Sequence, residues 1–369
     1  MKASSLYFSL ASVFGAVAAL DATSTYIVPT APVDADVSIA TNAVVSTAFD
    51  GPKVSAVNGS TFDWWYFDVV SAKASISLVF QTGTTASVGY PSVLELTNYI
   101  QVAGIWPNGT QFSVPFVPSG PAVVTTVGDG SSANFTGTGF SWTSTPNLSK
   151  YFITIDALET YGIKGTISFR SLAPAHYGLG SVADRSSSEL LTPKLGWANA
   201  VPDAESHVDL IVGGEQLKFS GRGYHDKNWG SQALNDIVEN WYWGHAAVGP
   251  YSIVFFDALD HNGVEYTAAY IAESGSPIKV GPTAIVRPFG DGITYPQTNS
   301  SIIPDGFNIV IDVGSRGVFE FNTTSRIIAE TLDDGGYGYT RAQAHFVGGQ
   351  VGGKKYTGYG LWDWQHFYQ

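Results

Sequence analysis

Phe62-Asp-Trp-Trp-Tyr-Phe-Asp68, followed after a short spacer by Ser75-Ile-Ser-Leu-Val-Phe80, decides the class of fold. Both runs are short and rich in aromatic and β-branched residues, so they read as two strands joined by a turn. The pattern recurs. Trp65-Tyr-Phe-Asp68 precedes Ser75–Phe80 by the same ungapped distance at which Trp241-Tyr-Trp-Gly244 precedes Tyr251-Ser-Ile-Val-Phe-Phe256. A repeat this long points to duplication of a domain rather than to a solenoid, with a boundary near Leu234–Glu239. Further strands are expected at Tyr151–Ile155, Gly165–Phe169 and Phe307–Ile311, punctuated by turns at Pro107–Gly109, Gly128–Gly130, Asp260–Gly263 and Asp333–Gly336. After the N-terminal leader no helix longer than a few turns is expected. Regularly spaced short strands of this kind build all-β barrels or sandwiches.

The bulk composition agrees. The 369 residues include no cysteine, which excludes disulfides, thiolate metal sites and cysteine nucleophiles. Length alone suggests about two domains. Charged residues make up 13% and aromatics 14%, a balance suited to sheets around a large apolar interior. The formal charge of −13 argues against nucleic acid, which needs a basic surface. Residues 1–19 read as a signal peptide: Met1-Lys2, an apolar run from Leu6 to Ala18, and a small-residue cleavage site near Ala18 or Ala19. That run is short for a bilayer, which takes about 20 apolar residues, so no membrane span is expected. The chain is thus expected in the secretory pathway, with N-glycosylation sequons at Asn58, Asn108, Asn134, Asn147, Asn299 and Asn322. Residues 20–236 and 237–369 form the two expected domains.

Familiar catalytic signatures are missing: there is no G-x-S-x-G elbow, P-loop, G-x-G-x-x-G or H-E-x-x-H. The seven histidines form no compact ligand motif. Gly221-Arg-Gly-Tyr-His-Asp-Lys-Asn-Trp-Gly230 is the most unusual segment. It reads either as a functional stretch presenting His225, Asp226 and Asn228 beside Trp229, or as a corner whose side chains hold a turn. The period of two sets Trp241, Trp243 and His245 on one face of a strand, and Trp362, Trp364 and His366 on one face of another. In the opening strand Asp63, Trp65 and Phe67 alternate with Trp64, Tyr66 and Asp68, so a carboxylate stands close to tryptophan rings on either face. Aromatic strands with few charges suggest a cavity for an apolar ligand. Leu172–Ser206 carries three prolines and no strand period, and is expected to be a loop over the cavity mouth.

Phe62–Asp68, Gly223-Tyr-His-Asp-Lys-Asn-Trp-Gly230, Trp241-Tyr-Trp-Gly-His245 and Gly360-Leu-Trp-Asp363 together resemble the fungal lipocalin-like Diels–Alderases, relatives of the carotenoid-hydrating hydroxyneurosporene synthases. The resemblance implies two lipocalin-like β domains in tandem, a pocket for a hydrophobic small molecule, and neither metal nor organic cofactor. It implies a pericyclic cyclase, of Diels–Alder or hetero-Diels–Alder type, acting in secondary-metabolite biosynthesis. A cycloaddition needs no nucleophile, because holding the reacting groups in a near-attack pose suffices. Tyr66, His225, Asn228 and His245 are then the candidate polar groups. Asp63, Trp65, Asp68, Gln81, Trp229, Trp241, Trp243 and Trp362 are the candidate substrate-binding residues. Two alternatives remain: a hydratase or isomerase of a terpenoid or polyene double bond, with Asp63, Asp68 or Asp226 as acid, and a non-catalytic carrier. Oligomeric state is not legible in the sequence.

Overall fold

The structure, a computed structural model, describes residues 23–43, 48–89, 96–181, 187–299, 301–333 and 337–367. The expected signal peptide lies outside the described residues, as does the Asp333–Gly336 turn beyond Asp333. Every strand expected from the sequence is present, each within a longer one: Ser75–Gly83, Lys150–Ala157, Ile163–Ser171, Tyr251–Leu259 and Gly306–Asp312. Among the described residues α-helix is confined to Leu158–Tyr161 and Leu234–Ile237. Among those residues no helix is long and apolar enough to cross a membrane.

The strands pair into two sheets, one of 15 strands built from residues 23–230 and one of nine built from residues 240–367. Both curl. In the first, Asn98 Nδ2 donates to the Val28 carbonyl at 3.1 Å, tying together strands that lie near opposite ends of the pairing order. Each sheet encloses its own apolar core, around Trp65, Phe67, Phe80 and Trp142 in the first and Phe255, Phe307, Trp362 and Trp364 in the second. A third cluster lies where the sheets face each other, and includes Trp64, Tyr66, Trp197, Trp241, Trp243 and Phe256. The Phe62–Val70, Ser75–Gly83 and Tyr251–Leu259 strands are therefore buried on both faces along their whole length. Full burial of one Phe-sized side chain contributes about 1.5–3 kcal/mol. Several such rings shared between the sheets hold them together as firmly as a domain core.

Three expectations need correction. Leu172–Ser206 is not a loop over a cavity mouth. Short strands occupy His176–Tyr177 and Leu190–Thr192, and Leu195 begins an 18-residue strand to Val212. Its first ten residues are buried on both faces, so they carry no period of two for a sequence to show. Gly221–Gly230 is not a corner either, but the second half of the Glu215–Gly230 strand at the centre of the first sheet. Glycine is needed there for close packing: a Cβ on Gly223 would lie 2.1 Å from Ser206 Oγ and 2.6 Å from a Phe169 ring carbon. The register expected for the repeat is off by one residue. Trp64, Tyr66 and Asp68 face the other sheet, and their counterparts are Trp241, Trp243 and His245, so Trp65 and Trp241 point to opposite faces. The C-terminal strand spans Tyr356–Phe367. It pairs with Asn240–Val248 and Tyr337–Gln350 inside the second sheet.

Of the sequon asparagines, Asn108, Asn134, Asn147 and Asn299 are exposed, and Asn58 and Asn322 are half-buried.

Candidate active site

Between the sheets lies a cavity, part of it open to solvent. The first sheet contributes Trp64, Tyr66, Gln81, Gln101, Asp226 and Asn228, and the second Trp241, Trp243, Tyr339, Arg341, Asp363 and Gln365. Its location follows from the strand period. The two aromatic strands present alternate residues to each other across the gap, and the strand paired with each supplies the polar groups. The slipped repeat makes the two walls correspond. Asp226 stands opposite Tyr66 in the first sheet as Asp363 stands opposite Trp243 in the second, and Asn228 opposite Trp64 as Gln365 opposite Trp241.

The polar groups fall into three sets. Arg341 forks onto Asp363, Nε to Oδ1 at 2.8 Å and Nη2 to Oδ2 at 2.7 Å, while its Nη1 reaches Ser77 Oγ of the other sheet at 3.1 Å. Its guanidinium also lies 4.6 Å from the Tyr66 ring centre. Burial still pushes the Asp363 carboxyl above its ordinary range, against the pull of Arg341. In the second set Tyr66 Oη donates to Asp68 Oδ2 at 2.8 Å, and His245 Nε2 meets the same oxygen at 2.8 Å. In the third, Asp226 Oδ2 accepts from Trp197 Nε1 at 2.8 Å and from Tyr224 Oη at 2.7 Å. Burial, only partly offset by those two donors, pushes Asp226 up to about 6.

Several wall atoms are buried without a hydrogen-bond partner: Gln81 Nε2, Gln101 Nε2 and Trp241 Nε1. A buried donor left unpaired costs about 1–3 kcal/mol. Three around one cavity, two on the first sheet and one on the second, suit a ligand that brings oxygen acceptors of its own.

The structure brings together Tyr66, Gln81, Asn228, Trp241 and Trp243 from the expected set, with Asp68 and His245 directly behind Tyr66. It does not bring the others. Trp65 and Trp229 belong to the core of the first sheet, and Trp362 to that of the second. Asp63 is paired with Lys227 and takes the Lys53 amide at 2.6 Å, a wholly buried arrangement that anchors the preceding segment. His225 faces the same interior, stacked 3.9 Å from Phe67, with Nε2 3.1 Å from Asp50 Oδ1 and Nδ1 2.8 Å from the Tyr66 carbonyl. Each of these lies one residue from a true wall residue, so the right strands carried the wrong face. Gln101, Tyr339, Arg341, Asp363 and Gln365 were absent from the expected set, while Asp226 was named in the Gly221–Gly230 stretch and as an acid of the hydratase alternative. Asp226 shares its face with Asn228, as alternation along the strand requires, whereas nothing local marks Arg341 as the partner of Asp363.

Among the described residues no group of three or more His, Asp or Glu side chains is gathered closely enough to hold a metal ion.

Comparison with known proteins places this geometry in a context. A family described as Diels-Alderase-like matches residues 27–288. A quinolone epoxide rearrangement protein of Penicillium thymicola is 34% identical over 324 residues, covering 85% of this chain and 88% of its own. A Diels-Alderase of an Acremonium species is 26% identical over 266 residues, covering 68% of this chain and 60% of its own. The crystal structure of CghA superposes with a TM-score of 0.74 at 17% identity, over 94% of this chain and 99% of that one.

Proposed function

Because this chain belongs to the Diels-Alderase-like family, we propose that it is an isomerising enzyme of fungal secondary metabolism. It takes one largely apolar, oxygen-bearing substrate into the inter-sheet cavity and rearranges it without adding or removing atoms. The observation that carries this reading is the make-up of the cavity: tryptophan and tyrosine walls, unpartnered N–H donors on both walls, and two carboxyls of unlike environment.

The finer reading is an acid-assisted rearrangement of an epoxide. It draws support from the relative at 34% identity and from a cavity whose carboxyls and ring faces favour developing positive charge. The aromatic walls would hold the substrate in a folded pose and keep water from the reacting carbon. A pericyclic ring closure is the second reading, supported by the family match and by Trp64, Trp241 and Trp243, which could clasp a folded polyene. The role as a carrier needs only the cavity.

The purified chain, offered a quinolone epoxide or a linear polyene with no added cofactor, should convert one of them to an isomer of equal mass faster than a boiled control. Chiral chromatography with mass detection reads the result. Trp241→Ala should lower kcat/KM about tenfold to a hundredfold, the equivalent of the roughly 1.5–3 kcal/mol of apolar contact it removes. A product distribution identical to the control, with both compounds bound tightly, would move the carrier reading to the front.

A further inference from the structure

The two corresponding carboxyls, one per wall, have unlike surroundings. Asp363 is forked by Arg341. Asp226 has neutral donors only, Trp197 and Tyr224, both on Oδ2, and Oδ1 has no hydrogen-bond partner among the described residues. Like groups driven apart in this way divide the labour of acid and anion. Asp226, at about 6, keeps a working fraction of its proton near neutrality.

We propose that Asp226 is the catalytic acid of this cavity, delivering its proton to the substrate oxygen and recovering it at the end of the reaction, while Asp363 remains an anion locked to Arg341. The inference rests on the rearrangement reading above. The neutral carboxyl protonates the epoxide oxygen. The C–O bond then breaks with its electron pair staying on oxygen, which becomes a hydroxyl, and positive charge is left on carbon against the ring faces of the walls. A neighbouring hydrogen or carbon group migrates with its bonding pair to that carbon. The oxygen-bearing carbon becomes a protonated carbonyl, and its O–H proton returns to the Asp226 carboxylate. Nothing is oxidised or reduced overall, and no co-reactant is consumed.

The titratable and charged groups around Asp226 are Tyr224 and His225 on its own strand and Tyr66 and Asp68 on the neighbouring strand. From the second sheet come His245, which meets Asp68, and the Arg341–Asp363 pair of the opposite wall. Asparagine at this position keeps an oxygen for Trp197 and Tyr224 and loses only the proton, so Asp226→Asn isolates the effect.

Two measurements on the full chain test the assignment. The first is calorimetric binding of the parent quinolone, an unreactive carbonyl compound, between pH 5 and pH 8. Wild-type affinity should fall about tenfold from pH 5 to pH 7, as the protonated fraction of a group titrating near 6 falls. Asp226→Asn should show no such fall. The second is turnover of a quinolone epoxide. Asp226→Asn should reduce kcat by about a hundredfold or more with KM changed less than about threefold, and Asp226→Glu should recover part of the loss. A wild type that binds with the expected pH dependence yet leaves the epoxide untouched would keep the acid and discard the rearrangement. Wild-type binding that is flat across pH 6, or an Asp226→Asn enzyme with unchanged kcat, would overturn the assignment.

Discussion

Replacing Arg341 by Met is expected to destabilise the protein by about 3–5 kcal/mol, the usual cost of breaking a buried ion pair by removing one partner. Arg341 is 6% exposed, and three of its nitrogens are engaged, two by Asp363 and one by Ser77 across the sheet interface. Without it Asp363 keeps its burial and loses its cation, and Glu330, 3.9 Å from Nη1, loses a neighbour. The pH dependence gives the substitution a signature. Burial already raises Asp363 in the wild type, and removing the guanidinium raises it further. A carboxyl whose folded value lies above its unfolded value contributes stability that is present at low pH and lost as pH rises through the folded value. The variant should therefore be weakest at pH 8 and recover relative to wild type on acidification. Urea unfolding across that range measures it. Adding Asp363→Asn should restore part of the loss at pH 8, because the buried charge is gone. A loss below about 1 kcal/mol that ignores pH would show that the pair does not clamp the sheets.

Asp50→Asn should be comparably damaging, by about 3–5 kcal/mol. Asp50 is wholly buried inside the first sheet and accepts from His225 Nε2 at 3.1 Å, Ser131 Oγ at 2.6 Å and Tyr151 Oη at 2.9 Å. Its own carbonyl accepts from Trp65 Nε1 at 2.9 Å. An amide can accept on one side only, and its N–H groups would face donors on the other. Burial alone would raise the Asp50 carboxyl, but the charge of His225 and the hydrogen bonds from His225 and Ser131 outweigh it and hold the group low. A depressed carboxylate contributes stability above its unfolded value, near 4, that is lost as pH falls through the folded one. The wild type should lose stability along that acid limb, and Asp50→Asn should lack it. The same acid limb in both proteins would discount Asp50 as the hub. The effect bears on the cavity too, since His225 ties this cluster to the backbone of Tyr66.

How much of this could be read in the chain divides along physical lines. The all-β class and the strands at Ser75–Phe80 and Tyr251–Phe256 were visible because strand signals are local: residue type, a period of two, and turn residues at the ends. Alternation also paired residues correctly, setting Trp241 with Trp243 and His245, and Trp64 with Tyr66 and Asp68. What alternation cannot supply is which face looks where when both are apolar. Phe62–Val70 is buried throughout, so Trp65 and Trp64 were equivalent until a second sheet was packed on one side.

The same physics hid the Leu195–Ala204 strand, whose two-sided burial erases the pattern, and it hid the partners of charged groups. Arg341 and Asp363 are 22 residues apart, Asp50 and His225 are 175 apart, and Ser77 lies 264 residues from Arg341. By itself the sequence determined that the chain makes aromatic strands without cysteines, in two similar sets, with acids and histidines among the rings. Only the tertiary structure decided which carboxyl is caged by a cation and which by neutral donors. That choice depends on desolvation and on charges brought together by sheet packing, and neither is a property of any stretch of chain.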